Sequence, residues 1–154
     1  MTKATAAAAA SAAATSEAIV NDAPKLHESF EVGDAAHQGD VIIVRIARLP
    51  HSAKPRRHRQ VAPGNTPGSR HVLRRGKLFD CDAKEVANQI RSATGCNVEA
   101  QYIGPVFVSP PKPTADDLTH PEHGNQGFPA GAVCAVVFQR SWDAELKEAR
   151  RVLD

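Results

Sequence analysis

Residues 132–138 read Ala-Val-Cys-Ala-Val-Val-Phe, an uninterrupted run of apolar side chains. A run of this length and composition is typical of a strand that is buried on both faces, so we predict that it is the central strand of a sheet. Its apolar neighbours indicate that Cys134 is a buried core residue rather than a reactive or metal-binding thiol. The other cysteines, Cys81 and Cys96, are distant in sequence, and the absence of a Cys-x-x-Cys pair favours free thiols in a reducing compartment.

Working outward, residues 41–48 are rich in β-branched side chains and predict a second strong strand. Shorter strands are predicted at 71–73, 78–79, 98–102 and 106–108. A helix is predicted to begin at Asp82, with Glu85 completing a capping-box pattern, and to end at Gly95. A second short helix is predicted from Trp142 to Leu153, because apolar residues recur there at helical spacing.

Five or six strands with two short helices, in no regular alternation, favour an α+β, mainly β fold over a doubly wound parallel sheet. We expect one small β-barrel-like or mixed-sheet domain at 26–154, with long irregular stretches at 50–70 and 109–131. Residues 1–25 carry ten alanines in the first 18 positions and almost no large apolar group. Such a segment cannot bury enough surface to offset its ordering entropy, which predicts a disordered N-terminal arm.

The 154-residue chain has a formal charge of only +2, but its charges are unevenly distributed. Ten of its 19 Lys and Arg residues lie between Val41 and Phe79, and none of its 17 Asp and Glu residues does. A segment of this kind attracts acidic protein surfaces or nucleic-acid backbones. The candidate binding residues are Arg45, Arg48, Lys54, Arg56, Arg57, Arg59, Arg70, Arg74, Arg75 and Lys77.

Histidines supply the second candidate site. His120-Pro121-Glu122-His123 places two imidazoles three residues apart, and with His71 they could supply three ligands to a divalent metal ion. The alternative interpretation is that these are polar loop histidines, because Pro121 disfavours the helix that would bring the two rings to one side. No nucleophile motif or acid–base pair is present, so we assign no catalytic residues and favour a protein that is not an enzyme.

Several short motifs, taken in order, resemble a family of small, uncharacterised β-rich proteins from bacteria and phages. They are His37-Gln38-Gly39-Asp40-Val41, the loop from Gly64 to His71, His120-Pro121-Glu122-His123-Gly124, and the ending Gln139-Arg140-Ser141-Trp142-Asp143. The resemblance covers residues 37–154 and implies a fold and a domain extent, but no reaction. One histidine of the family's Gly-His-x-His turn is Ser69 here, which removes one candidate metal ligand.

Three functions follow as hypotheses. The first is a non-enzymatic binding or assembly module that uses the basic segment 45–77 to engage an acidic protein or a nucleic-acid backbone. The second is a metal-dependent, hydrolytic protein built on the three histidines. The third is a structural subunit of a bacterial or phage assembly, ordered through its N-terminal arm as a homo-oligomer. No apolar run approaches the roughly 18 residues that cross a bilayer, so we expect a cytoplasmic protein without a membrane partner.

Overall fold

The computed structural model describes residues 23–62, 70–143 and 148–151. Within these ranges the strands are β1 (Lys25–Leu26), β2 (Ala35–Gln38), β3 (Val41–Arg45), β4 (Lys54–Pro55), β5 (Gln60–Ala62), β6 (His71–Leu73), β7 (Lys77–Asp80), β8 (Ile103–Val108), β9 (Leu118–Thr119), β10 (Gln126–Gly127), β11 (Val133–Phe138), β12 (Arg140–Asp143) and β13 (Glu148–Arg151). Helix α1 spans Ala83–Thr94, and a 3₁₀ turn spans Ala100–Tyr102. Residues 1–22 of the predicted arm lie outside the described residues.

Two larger sheets and one hairpin hold these strands. The first sheet has six strands in the order β2-β3-β11-β8-β7-β4, and the second has five in the order β1-β10-β9-β6-β5. Strand β11 lies in the middle of the first sheet, antiparallel to β3 and β8, as its apolar sequence predicts. The mainly β fold is confirmed, and within the described ranges neither sheet closes into a barrel.

Alternate residues of β11 pack on opposite faces of the first sheet. Cys134 and Val136 belong to the core between the two sheets, whereas Ala135 and Val137 face the layer formed by α1 and the 3₁₀ turn. Cys134 is fully buried, and this burial raises the pKa of its thiol. The prediction of a core cysteine is therefore confirmed.

The predicted first helix is confirmed, and its end at Gly95 takes the left-handed conformation (φ 80°) that glycine adopts without strain. The predicted strand at 98–102 is wrong: part of this stretch is the 3₁₀ turn, and β8 begins at Ile103 and runs through Gly104-Pro105. Proline is tolerated there because the pairing of β8 with β11 shifts register close to it.

The second predicted helix is also wrong. Residues 140–143 and 148–151 form the antiparallel hairpin β12–β13, in which Trp142 is opposite Ala149. Helix α1 is thus the one α-helix in the described part of the chain. An isolated helix of about twelve residues is marginal in water, so its amphipathic pattern alone does not outweigh strand pairing.

The capping-box residue Glu85 has a different role from the predicted one. Asp82 makes no side-chain cap bond, and the Glu85 carboxylate accepts hydrogen bonds from the backbone N–H of His51 (2.7 Å) and from the N–H (3.1 Å) and hydroxyl (2.6 Å) of Ser52. These bonds hold the segment leading to β4 against α1. The Ser52 hydroxyl first, and then the His51 N–H, lower the pKa of Glu85.

We expect Glu85→Gln to lower the melting temperature at neutral pH. A carboxyl whose pKa is lowered by folding stabilises the folded state above its unfolded pKa, and this contribution is lost as the pH falls through the folded value. The difference in melting temperature between the variant and the wild type should therefore become smaller as the pH is lowered toward about 3. Thermal melts at both pH values check this, with the exposed Glu28→Gln as the control; a gap that is independent of pH would contradict it.

Candidate functional site

Two of the ten predicted binding residues, Arg45 and Arg59, donate hydrogen bonds to backbone carbonyls within the fold. The Arg45 guanidinium donates to the carbonyl of Phe30. Arg59 donates from Nε to the carbonyl of Leu73 and from Nη2 to that of Gly76, both at 2.8 Å. Because these two donors bind carbonyls within the fold, Arg59 fastens the segment before β5 to the turn before β7.

Arg56 is also bound within the protein. Its Nε and Nη2 donate to one oxygen of Asp80, at 2.8 and 2.5 Å, and its Nη1 donates to the carbonyl of Gln60 at 2.9 Å. Only 20% of the Arg56 side chain is exposed, so this ion pair is better ordered than most at a surface.

Arg75 is partly bound. Its Nη1 donates to the carbonyl of Lys112 at 2.8 Å and lies 3.4 Å from the buried Asp117 carboxylate. Asp117 also accepts bonds from the N–H and hydroxyl of Thr114, which leaves it little capacity for other cations. The contact places Lys112, an exposed cation outside the predicted segment, beside the turn that carries Arg75.

The other six predicted residues share two properties: each is exposed, and its side chain makes no hydrogen bond or ion pair with any described residue. They are Arg48, Lys54, Arg57, Arg70, Arg74 and Lys77. Arg48 lies apart from the rest, since its backbone N–H and carbonyl pair with the side chain of Gln89 on α1.

Three of the six lie on adjoining segments, and we call them the basic face: Arg57, Arg74 and Lys77. Lys54 is excluded, because it lies opposite Asp80 in the β4–β7 ladder and so points to the other side of that strand pair from Lys77. The bonds of Arg59 to the 73–76 turn bring the segment carrying Arg57 next to the one carrying Arg74 and Lys77. The backbone N–H of Arg56 also donates to Leu78 of β7 at 2.8 Å. The two carboxylates near this face, Asp80 and Asp117, already have arginine partners, so the positive potential of the basic face is largely uncompensated.

The three candidate metal-ligating histidines lie together. The ring centroids of His71 and His120 are 4.4 Å apart, and those of His120 and His123 are 4.6 Å apart. His71 is fully buried at the start of β6, and His120 is 5% exposed in the loop after β9. The three imidazoles therefore pack ring against ring.

Gln38, at the end of β2, fixes the orientation of His71. Its amide nitrogen donates to the carbonyls of Leu118 and Gly124, both at 3.0 Å. Because both amide hydrogens are used in this way, the amide oxygen is an acceptor, and it lies 2.9 Å from Nδ1 of His71. His71 consequently carries a proton on Nδ1, and its Nε2 lies 3.3 Å from a carboxylate oxygen of Asp40.

His120 has the opposite arrangement. Its Nδ1 accepts hydrogen bonds from the backbone N–H groups of Glu122 (3.0 Å) and His123 (3.2 Å). A neutral His120 therefore carries its proton on Nε2, so neither of its ring nitrogens offers a lone pair to a metal ion. In the described part of the chain, no group of three or more His, Cys, Asp or Glu residues is placed to hold a metal.

Gly39 allows the cluster to pack closely. It has a positive φ of 61°, and a Cβ on it would lie 2.6 Å from a ring carbon of His123. Gln38 and Asp40 were not predicted as part of this cluster. Their one sequence signal was their place in the Gln38-Gly39-Asp40-Val41 motif, which by itself suggested no chemistry.

The fold and the site thus define a mainly β protein of two sheets with a buried histidine cluster and an exposed basic face. Residues 37–137 match the family described as Domain of unknown function (DUF8820), and the chain belongs to that family. The matched region contains both the basic face and the histidine cluster. No curated protein and no solved structure matches the chain. Among the described helices, none has the length and apolar character needed to cross a bilayer.

Proposed function

We propose that this protein is a binding module whose basic face engages an acidic segment of a partner protein. The observation that supports the proposal is that Arg57, Arg74 and Lys77 are exposed on adjoining segments and their side chains form no hydrogen bond or ion pair with the described residues. The nearby carboxylates already pair with Arg56 and Arg75. An acidic segment would supply the missing counter-charges.

Two features favour a protein partner over a nucleic acid. Among the residues whose burial the structure describes, the one exposed large apolar side chain is Val32, so the basic face offers no exposed Phe, Tyr or Trp ring on which a base could stack. In addition, the Asp80 side chain is 57% exposed within the same region. Because Arg56 compensates the charge of Asp80, this point attracts no anion; a protein segment can place an uncharged residue there, whereas a phosphate backbone carries a charge at every step.

The test replaces only cations that the fold does not use. We expect the variant Arg57→Gln/Arg74→Gln/Lys77→Gln to bind a fluorescent glutamate-rich peptide about tenfold more weakly than the wild type, because each exposed charge contact contributes about 0.5 kcal/mol. Fluorescence anisotropy measures the affinity, and wild-type binding should weaken as the ionic strength is raised to about 0.5 M. Arg56 and Arg59 are left intact, because their loss would also break bonds within the fold.

A matched control removes the same charge elsewhere: Lys25→Gln/Lys84→Gln/Arg91→Gln, all at exposed positions outside the basic face. It should retain wild-type affinity. An equal loss in both variants would show that total charge, not the basic face, attracts the peptide. Tighter binding of a DNA duplex, lost in the basic-face variant, would overturn the protein partner in favour of nucleic acid.

A further inference from the structure

Residues 120–127, which we call the histidine loop, follow β9, include β10 and hold β1 in the second sheet. The carbonyl of Asn125 accepts a hydrogen bond from the N–H of Lys25, and the carbonyl of Gly127 accepts one from the N–H of His27, both at 2.9 Å. Strand β1 pairs with β10 alone, in parallel. The position of β1 therefore depends on the histidine loop being closed.

His120 closes this loop through hydrogen bonds that only a neutral ring can accept. Its Nδ1 accepts from the backbone N–H groups of Glu122 and His123, and its own backbone N–H donates to the side-chain oxygen of Asn125 at 3.2 Å. A proton on Nδ1 would face the two N–H donors and remove both bonds. Because His120 is only 5% exposed, water does not replace these bonds while the loop is closed.

The neighbours of His120 also disfavour a positive charge on it. Both nitrogens of His71 face acceptor oxygens, one of Gln38 and one of Asp40, so the cluster accommodates a proton at His71. Once His71 is protonated, a proton on His120 would place two positive rings with centroids 4.4 Å apart. The described titratable groups around His120 are His71 from β6, Asp40 from the turn between β2 and β3, His123 and Glu122 from the loop itself, and Asp116, which binds Asn125.

Two further histidines contact the histidine loop. His27 donates from Nε2 to the side-chain oxygen of Gln126 at 2.8 Å, and its ring stacks on Phe128 with centroids 4.9 Å apart. Burial lowers the pKa of His27 against the opposing effect of the Gln126 bond, and the positive charge of Lys25 lowers it further. Burial also lowers the pKa of His37 on β2, whose carbonyl accepts from the Gln126 amide nitrogen.

We propose that the histidine loop is a latch that opens in mild acid, when His120 is protonated at Nδ1, and that its opening releases β1 and exposes Phe128. The open loop binds a proton at His120 that the closed loop does not, so acidification favours the open form. Opening should occur below about pH 6.5, where an accessible imidazole takes up a proton. The first sheet should stay intact, because its central strands β3, β11 and β8 contain no histidine. The latch is separate from the basic face and does not depend on the proposed function.

Amide hydrogen exchange of the full chain, measured by NMR at about pH 7 and about pH 5, tests the latch once each rate is divided by the intrinsic rate at that pH. We expect the amides of Lys25, His27, Glu122 and His123 to become at least about tenfold less protected at the lower pH. One proton taken up on opening changes the equilibrium about tenfold for each pH unit. The amides of β11 should keep their protection.

The variant His120→Asn separates protonation from packing. The asparagine side-chain oxygen takes the approximate place of Nδ1 and can accept the same two N–H groups, but it does not titrate. We expect this variant to keep the loop protected at about pH 7 and to lose about tenfold less protection than the wild type at about pH 5. His58→Asn, at an exposed position between β4 and β5, is the matched control and should keep the pH dependence of the wild type.

The outcomes are distinct. Equal loss of protection in the histidine loop and in β11 would indicate unfolding of the whole protein and would overturn the latch. Unchanged protection of the loop at about pH 5, or an equal loss in His120→Asn, would also overturn it. If His120→Asn does not fold, the imidazole nitrogen chemical shifts of the wild type decide: protonation of His120 at the pH at which the loop opens supports the latch, and protonation of His120 in a loop that stays protected contradicts it.

Discussion

Replacement of Gln38 by leucine should lower the free energy of unfolding by about 3 kcal/mol. Gln38 is 1% exposed and binds two carbonyls and the ring of His71 at once. Leucine keeps the approximate volume but leaves these buried groups without their partner, at a cost of about 1–3 kcal/mol for each group that water cannot reach. Urea denaturation followed by circular dichroism measures the change.

The control for Gln38→Leu is Gln101→Leu. The Gln101 side chain is exposed and bonds only to Glu99, so its loss should change the free energy of unfolding by less than about 0.5 kcal/mol. If the two variants were equally stable, the polar network around His71 would not contribute to folding, and the placement of Gln38 described above would be wrong.

Replacement of Gly127 by alanine should lower the free energy of unfolding by about 3 kcal/mol or more, at least as much as Gln38→Leu. A Cβ at this position would lie 1.8 Å from the backbone carbonyl oxygen of Thr114, and backbone cannot move aside as a flexible side chain can. Gly127 is buried in β10, and its carbonyl accepts a hydrogen bond from the N–H of His27. This bond keeps β10 from moving away from the Thr114 carbonyl. Thermal unfolding measures the loss.

Gly131→Ala separates the clash from the general cost of replacing a glycine. Gly131 has a positive φ of 70°, but nothing lies within 4 Å of the added Cβ. We expect a loss of only about 1 kcal/mol, due to the unfavourable backbone conformation. A smaller loss at Gly127 than at Gly131 would contradict the close packing of β10 against the loop that contains Thr114.

The elements that could be predicted from the sequence are those whose signal is local. Residues 132–138 and 41–48 carry enough consecutive apolar or β-branched side chains to specify strands, although β3 ends at Arg45, three residues earlier than predicted. Residues 82–95 hold both a helical stripe and its boundaries. The two-residue strands β1, β4, β9 and β10 have no such signal. These short segments are strands because the fold places each of them beside another strand with which it can pair, and not because of their own sequence.

The wrong predictions have the same origin. Residues 142–153 show apolar residues at helical spacing, but β12 follows β11 after a single residue and pairs with β13. Residues 98–102 alternate as a strand would. Tyr102 nevertheless packs in the core beneath α1, and the 3₁₀ turn at Ala100–Tyr102 places its side chain there. In both places tertiary packing overrides a weak local preference.

The candidate site was predictable only in outline. The absence of acidic residues between Asp40 and Asp80 is visible in the sequence and locates the positive region. Which cations remain available is not visible, because the partners of Arg59 and Arg75 lie in segments that only the fold brings near.

The most direct test of the central claim is to map where an acidic segment binds. Amide chemical shifts of the protein should be followed by NMR as the glutamate-rich peptide is added at low salt. We predict that the largest changes fall at residues 56–58 and 74–77. Changes confined to other surfaces, such as the exposed face of α1, or no saturable change at all, would contradict it.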